Sequence, residues 1–410
     1  MQSDIDRLMA ERGLDAAVAL GSSASSPTIY YLTGGAHLEG AIVLMRRGLP
    51  PLLIHGPMER DTAAKTGLEC VSNSRWNLAA ITREAGGTML DGKSEQLRRI
   101  LAEFGVRGRV GFYGHGEIGQ SHALLSRLET LLDDTELVVE FDHDLVSSAR
   151  ITKDEGELAA MWDVARRANA VVAALAEMLS SRPVSNNRLL APGGDPLTIG
   201  QVKRFIHDEC VKRELEQPDG NIFSLGSHAA IPHHSGDPAS ELELGRSIIF
   251  DFFPRPVGGG YFHDMTRTWS LGYATDEVQA AYDDVKVAFD AVVDTLEVGR
   301  KTSDYQIMTC ELFEAKGHPT VMNTPGTEAG YVHGLAHGLG LEVHEPPSFY
   351  PYPGNTARLE PGVVFTVEPG LYYEARGYGV RIEDVYYCDG EGAFHSMTPF
   401  AKDLVLPVGR

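Results

Sequence analysis

The chain has 410 residues, 43% of them hydrophobic and 23% charged, which is enough for two to three soluble domains of about 150 residues, each burying its own core. Its 57 acidic against 36 basic residues leave a formal charge of −21, which repels phosphate backbones and anionic lipid surfaces and argues against nucleic acid or membrane as partners. No apolar run approaches the roughly 18 residues that span a bilayer, the first ten residues lack the apolar stretch of a secretory signal, and Cys70, Cys210, Cys310 and Cys388 form no C-x-x-C pair, so a cytoplasmic protein with reduced thiols is expected.

In chain order, Ser3 is placed to cap a helix carrying Ile5, Leu8 and Met9 on one face, Gly13 ends it, and 16–20 reads as a short buried strand. Further strands are predicted at 40–45, 52–54, 110–113 and 137–141, with helices at 94–104 and 122–132. Strands alternating with helices predict a small α/β layer domain over residues 1–150. It concentrates no catalytic residue types, and His37, His55, His115 and His122 are scattered through it.

The pattern changes near residue 150. Thr152-Lys-Asp-Glu155 reads as a capping box opening a long helix to about residue 179, which sets the boundary of a second domain over 151–410. Later helices are predicted at 198–215, at 275–297 with Gly299 as stop, and from the Ser303-x-x-Gln306 box to Gly317. Four strand-like segments follow the β-branched and aromatic content, at 247–253, 261–271, 363–373 and 379–388.

Each of these four segments carries an acid in its middle: Asp251, Asp264, Glu368 and Glu383. Ionised acids are rarely buried without a counterion, because stripping their water costs several kcal/mol or more. Strand side chains alternate faces, so four central acids can converge on one cavity of a curved sheet. Convergence without cations would push their pKa values up, whereas two divalent ions match four carboxylates, and manganese, cobalt, iron and zinc all suit such a set with one imidazole. The imidazole has a source in the run from His333 to His344, which holds three histidines and the glycines 334, 338 and 340. A zincin helix is excluded, since Gly334 stands where its glutamate would be.

Asp251, Asp264, His337, Glu368 and Glu383, with the phrases HDMTRTW, AHGLGLEVHEPP, FTVEPGLY and VRIEDV, resemble the metal site of the pita-bread metallopeptidases. That family includes methionine aminopeptidase, aminopeptidase P, prolidase and creatinase. The resemblance runs from residue 152 to about 400, and the α/β domain before it is similar to the arrangement in the proline-specific branch. It implies an α/β N-terminal domain followed by an α+β catalytic domain with a curved antiparallel sheet. It implies two divalent metals, manganese favoured, with Asp251 on one, His337 and Glu368 on the other, and Asp264 and Glu383 bridging both.

The same resemblance implies hydrolysis of the X-Pro bond of dipeptides or short peptides, with Glu368 as general base and His344 steadying the oxyanion. His333 and one of His233 or His234 would line the proline side, His233 preferred because it directly follows an apolar-Pro step. Prolidases bind the substrate carboxylate through an arginine, for which Arg381 and Arg358 are the candidates. Phe253 stands where the family often has glycine, and the 254–260 turn is slightly longer than usual. A homodimer is implied. The alternatives are a non-peptide hydrolase or lyase on the same metals, and a silent binding module.

Overall fold

Short apolar runs separated by helices assemble, in the computed structural model of residues 1–409, into two units, Met1–Arg150 and the residues from Ile151 onward. In the first, β1 (Ala16–Gly21), β2 (Ala41–Arg46), β3 (Leu52–His55), β4 (Glu69–Ser72), β5 (Gly108–Gly114) and β6 (Thr135–Val138) form one mixed sheet in the order β4-β3-β2-β1-β5-β6. Leu97, Ile100 and Leu101 of the helix Met89–Glu103 pack on Val18, Leu44, Ile54 and Val110 of that sheet. Strand β4 was not expected. Its residues are only partly buried or exposed, so it carries no apolar run, and parallel pairing with β3 is what makes it a strand.

In the second unit the long helix is Glu155–Ser180, and its capping box lies two residues later than expected. Glu157 N donates to Asp154 Oδ1 and Asp154 N to Glu157 Oε2, each at 2.9 Å. Thr152 and Lys153 are held outside the helix, Thr152 by a bridge to Val363 and Lys153 by donation from its N to Gly362 O at 2.8 Å. Similarly, the helix Thr302–Ala315 starts from Lys301, and Gln306 is a fully buried interior residue rather than a cap partner.

Strands β7 (Ile222–Leu225), β8 (Ser247–Phe252), β9 (Met265–Leu271) and β17 (Val405–Leu406) form one sheet in that order. A five-stranded sheet joins β10 (His337–Gly338), β11 (Glu345–Ser348), β12 (Val364–Val367), β15 (Asp384–Cys388) and β16 (Phe394–Ser396) in the order β11-β10-β12-β15-β16, and β13 (Gly370–Tyr373) pairs with β14 (Tyr378–Arg381). Helices cover this framework through two apolar clusters, one with Val285 and Phe289 beside Phe365, the other with Val171 and Val202 beside Phe250 and Trp269. Each such buried side chain contributes about 1.5–3 kcal/mol relative to exposure. No helix among the described residues is long and apolar enough to cross a membrane.

Three of the four acids do not lie in mid-strand as the alternation predicted. Asp251 is within β8, but Asp264 directly precedes β9, Glu368 follows β12 and Glu383 precedes β15. The segments 364–373 and 378–388 are one long hairpin broken at the same level on both sides. Val367 pairs with Asp384 below the break and Gly370 with Arg381 above it. Pro369 has no N–H to give a ladder, which helps place the break beside Glu368.

Candidate metal centre

The broken hairpin is where the acids meet. Asp251 stands opposite Thr266 in the β8/β9 register, and Thr266 bridges Glu383 through two backbone hydrogen bonds, so two of the acids flank one threonine. The Thr266 hydroxyl donates to Glu383 Oε2 at 2.8 Å. With Asp264, His337 and Glu368 these residues line a cavity of about 640 Å³, and His233, His333, His344, Arg381 and Phe253 lie on its wall as well. Arg358 does not. It is exposed, with Nη1 donating to Gly299 O at 2.6 Å, so that candidate for the substrate carboxylate is set aside.

His337 has a defined orientation. Its Nδ1 lies 3.0 Å from Gly338 O, and a carbonyl only accepts, so the proton is assigned to Nδ1 and the Nε2 lone pair is free. That lone pair faces Glu368 Oε1 at 3.4 Å, Asp264 Oδ2 at 3.8 Å and Glu383 Oε1 at 3.9 Å. One ligand atom each from Asp264, His337 and Glu383 falls within 4.8 Å of the others. Burial pushes the His337 imidazolium down to about 3, with His344 adding to the shift, which keeps the ring neutral.

The carboxyls shift the other way. Burial, then the charges of Asp251 and other acids, raises Glu383 to about 8. Burial and then Glu383 raise both Asp264 and Glu368 well above the ordinary range. Asp251 Oδ1 and Asp264 Oδ1 are buried with no hydrogen-bond donor. A lone pair aimed at acceptors, beside orphaned carboxylate oxygens, costs free energy that a cation would recover. The donor set, carboxylate oxygens with one imidazole whose far nitrogen is fixed by a carbonyl, therefore fits divalent metal.

Arg381 is 3% exposed, and each of its nitrogens already has a protein partner. Nη2 donates to Asp251 Oδ2 at 2.7 Å, Nη1 to the Tyr372 hydroxyl at 2.6 Å and Nε to Thr266 Oγ1 at 3.1 Å. These bonds take three of its five N–H groups and hold Asp251 and Thr266 together, while the residue lines the cavity. The Tyr372 hydroxyl in turn lies 2.8 Å from His333 Nε2, while His333 Nδ1 lies 2.7 Å from Gly334 O. The proton order follows: Arg381 donates to Tyr372, Tyr372 to Nε2, and Nδ1–H to the carbonyl, which leaves His333 neutral. Its imidazolium is pushed down to about 3 by burial and then by Arg381.

His233 lines the cavity, whereas His234 Nδ1 accepts from Gly236 N and its ring stacks on His228 at 4.0 Å. His344 presents its ring edge-on to His337 at 4.4 Å. Several residues that hold the site escaped the sequence reading. Tyr372 stands at even spacing from Gly370, the partner of Arg381 on the paired strand, and could have been found by that period. Gln306 could not, since it reaches the loop of His333 from a distant helix, accepting from Leu335 N and facing His333 O at 3.5 Å.

The sequence matches the family model of metallopeptidase family M24 over residues 159–389. The chain belongs to metallopeptidase family M24. Among curated relatives it is 30% identical over 265 residues to a probable dipeptidase PepE of Mycobacterium tuberculosis, covering 65% of this chain and 63% of the relative, and 33% identical over 192 residues to an Xaa-Pro dipeptidase of Lactobacillus delbrueckii subsp. lactis, covering 46% and 47%. These matches span less than two thirds of the relatives' length. Among solved structures, an X-Pro aminopeptidase from Thermotoga maritima aligns with TM-score 0.72 at 21% identity over 97% of this chain and 99% of the other. A prolidase from Pyrococcus furiosus gives TM-score 0.72 at 20% identity with the same coverage. At that identity the M24 likeness in structure speaks for the shared fold: an α/β domain followed by the pita-bread domain.

Proposed function

We propose that this chain is a metallopeptidase that removes the N-terminal residue from dipeptides or short peptides by hydrolysing the bond before proline. The observation that carries the reading is the His337 Nε2 lone pair surrounded by Asp264, Glu368 and Glu383 on the wall of one cavity. Asp251, Asp264, His337, Glu368 and Glu383 would hold two divalent ions, with Asp264 and Glu383 shared between them. A divalent ion bound there lowers the pKa of water toward neutrality and polarises a carbonyl oxygen.

The remaining steps belong to the chain. Glu368, whose carboxylate lies on the cavity wall beside His337, takes a proton from the attacking water and returns it to the prolyl nitrogen. That nitrogen is a tertiary amide and leaves as an amine only once protonated. His344, edge-on to His337 on the same cavity wall, steadies the developing oxyanion. Neutral His333, fixed by Tyr372 and Gly334, and His233 after Pro232 form the proline side, where Phe253 narrows the space. With Arg358 away from the cavity and both ring nitrogens of His333 taken, contact with a substrate carboxylate would fall to His233 and the remaining N–H groups of Arg381.

The test is to strip the protein of metal, restore manganese, cobalt or zinc, and follow proline release from Gly-Pro and Ala-Pro and alanine release from Ala-Pro-Pro. Turnover of at least one peptide that returns with metal is expected. Absence of turnover with every metal refutes the reading, and cleavage of the dipeptides without the tripeptide selects a dipeptidase.

A further inference from the structure

Lys153 and Glu345 form a salt bridge with Nζ 2.8 Å from Oε1, and their side chains are only 1% and 2% exposed. Glu345 directly follows His344 and stands opposite Gly338, the neighbour of His337, in the β10/β11 register. Its carboxylate fills the space over Gly340, where an added Cβ would come within 2.2 Å of Oε1. Lys153 also touches the other arm of the site. Its backbone N donates to Gly362 O, and Thr152 bridges Val363, the residue before β12, whose last residue, Val367, adjoins Glu368.

We infer that Lys153 is a positioning residue, acting through Glu345 to hold His337 and His344 in register with Glu368. Lys153 joins the Glu345 strand through its side chain to the chain entering β12 through its backbone N, and it lies outside the cavity wall. A buried ion pair is a costly way to gain stability, since apolar residues of similar volume often serve as well, but it fixes one geometry where apolar packing tolerates several. The inference rests on reading His337 as a metal ligand, and groups that orient ligands from behind typically change metal affinity by 10–100-fold when removed.

The experiment titrates metal-free wild type, Lys153→Met and the double variant Lys153→Met/Glu345→Leu with manganese by calorimetry, alongside their thermal unfolding without metal. Metal binding at least tenfold weaker is expected for both variants, with the double variant recovering the wild-type melting temperature but not the affinity. A double variant that regains both overturns the inference and leaves the pair as packing alone. If wild type binds no metal, the ligand reading has failed and this inference falls with it. Should the variants not fold, Lys153→Arg carries the test: weaker metal binding in a folded protein supports positioning, and unchanged affinity overturns it.

Discussion

Glu95 in the first unit and Glu383 in the second are both glutamates with close polar partners, and their proton affinities move in opposite directions. Glu95 accepts from Arg98 and Arg99 at 2.7 Å near the surface, and the Arg98 hydrogen bond first among several causes brings it down to about 2. Glu383 is buried among other acids and rises to about 8. The contrast separates two uses of one residue type. Acids matched to arginine near the surface stabilise modestly, whereas buried acids gathered around one cavity destabilise the chain until a cation arrives.

The sharpest way to break this contrast is to remove an acid from the gathered set. Glu383→Ala should lower peptide hydrolysis on the order of 10³-fold, the several kcal/mol a metal supplies, and remove metal binding with it. Retained metal content, measured by elemental analysis, together with retained turnover would refute the shared-ligand role.

Next in size is the pH response of metal-free protein. Glu383 keeps its proton up to about pH 8 in the folded chain but only to its ordinary value of 4.5 when unfolded, so the folded state binds more protons in between. Stability should therefore be full below about pH 4.5 and fall as pH rises through 8, by on the order of a few kcal/mol. Melting temperatures of stripped protein at pH 5.5 and 8.5 check this, and saturating divalent metal should flatten the difference. A flat profile in the stripped protein would mean the acids do not share one buried site.

A smaller effect belongs to the cavity wall. His233→Ala should reduce kcat/KM on X-Pro peptides about tenfold, chiefly through KM, while metal affinity measured by calorimetry stays at the wild-type level. Smallest of all, Glu95→Gln should cost less than about 1 kcal/mol at pH 7 and leave turnover unchanged. Its contribution is present above pH 4.5 and is lost as pH falls through about 2, so a loss of metal binding in this variant would contradict the separation of roles.

Much of the site was legible in the chain because its chemistry depends on residue type and order. Four acids in apolar surroundings and a glycine-spaced histidine run are unusual enough to be seen one at a time, and the structure lines one cavity with Asp251, Asp264, His337, Glu368 and Glu383. The strand reading erred at Glu368 and Glu383 because alternation describes an unbroken strand, and here the hairpin changes sheet at those acids, and it erred at Asp264 because the β8/β9 pairing reaches only to Met265. The capping box shifted from Thr152 to Asp154 because backbone pairing with residues 362–363 claimed Thr152 and Lys153 first.

The arginines show the boundary most clearly. Sequence placed Arg381 two residues before Glu383 and so on its face, which holds, but it left open whether the guanidinium faces a substrate or the protein. Only folding brought Asp251, Thr266 and Tyr372 within reach of its three nitrogens, and Arg358 to a carbonyl away from the cavity. Local order and periodicity decide which residues can share a face. Which of them meet is decided by contacts between segments more than a hundred residues apart, such as Asp251 with Arg381 and Lys153 with Glu345, and no local pattern encodes those.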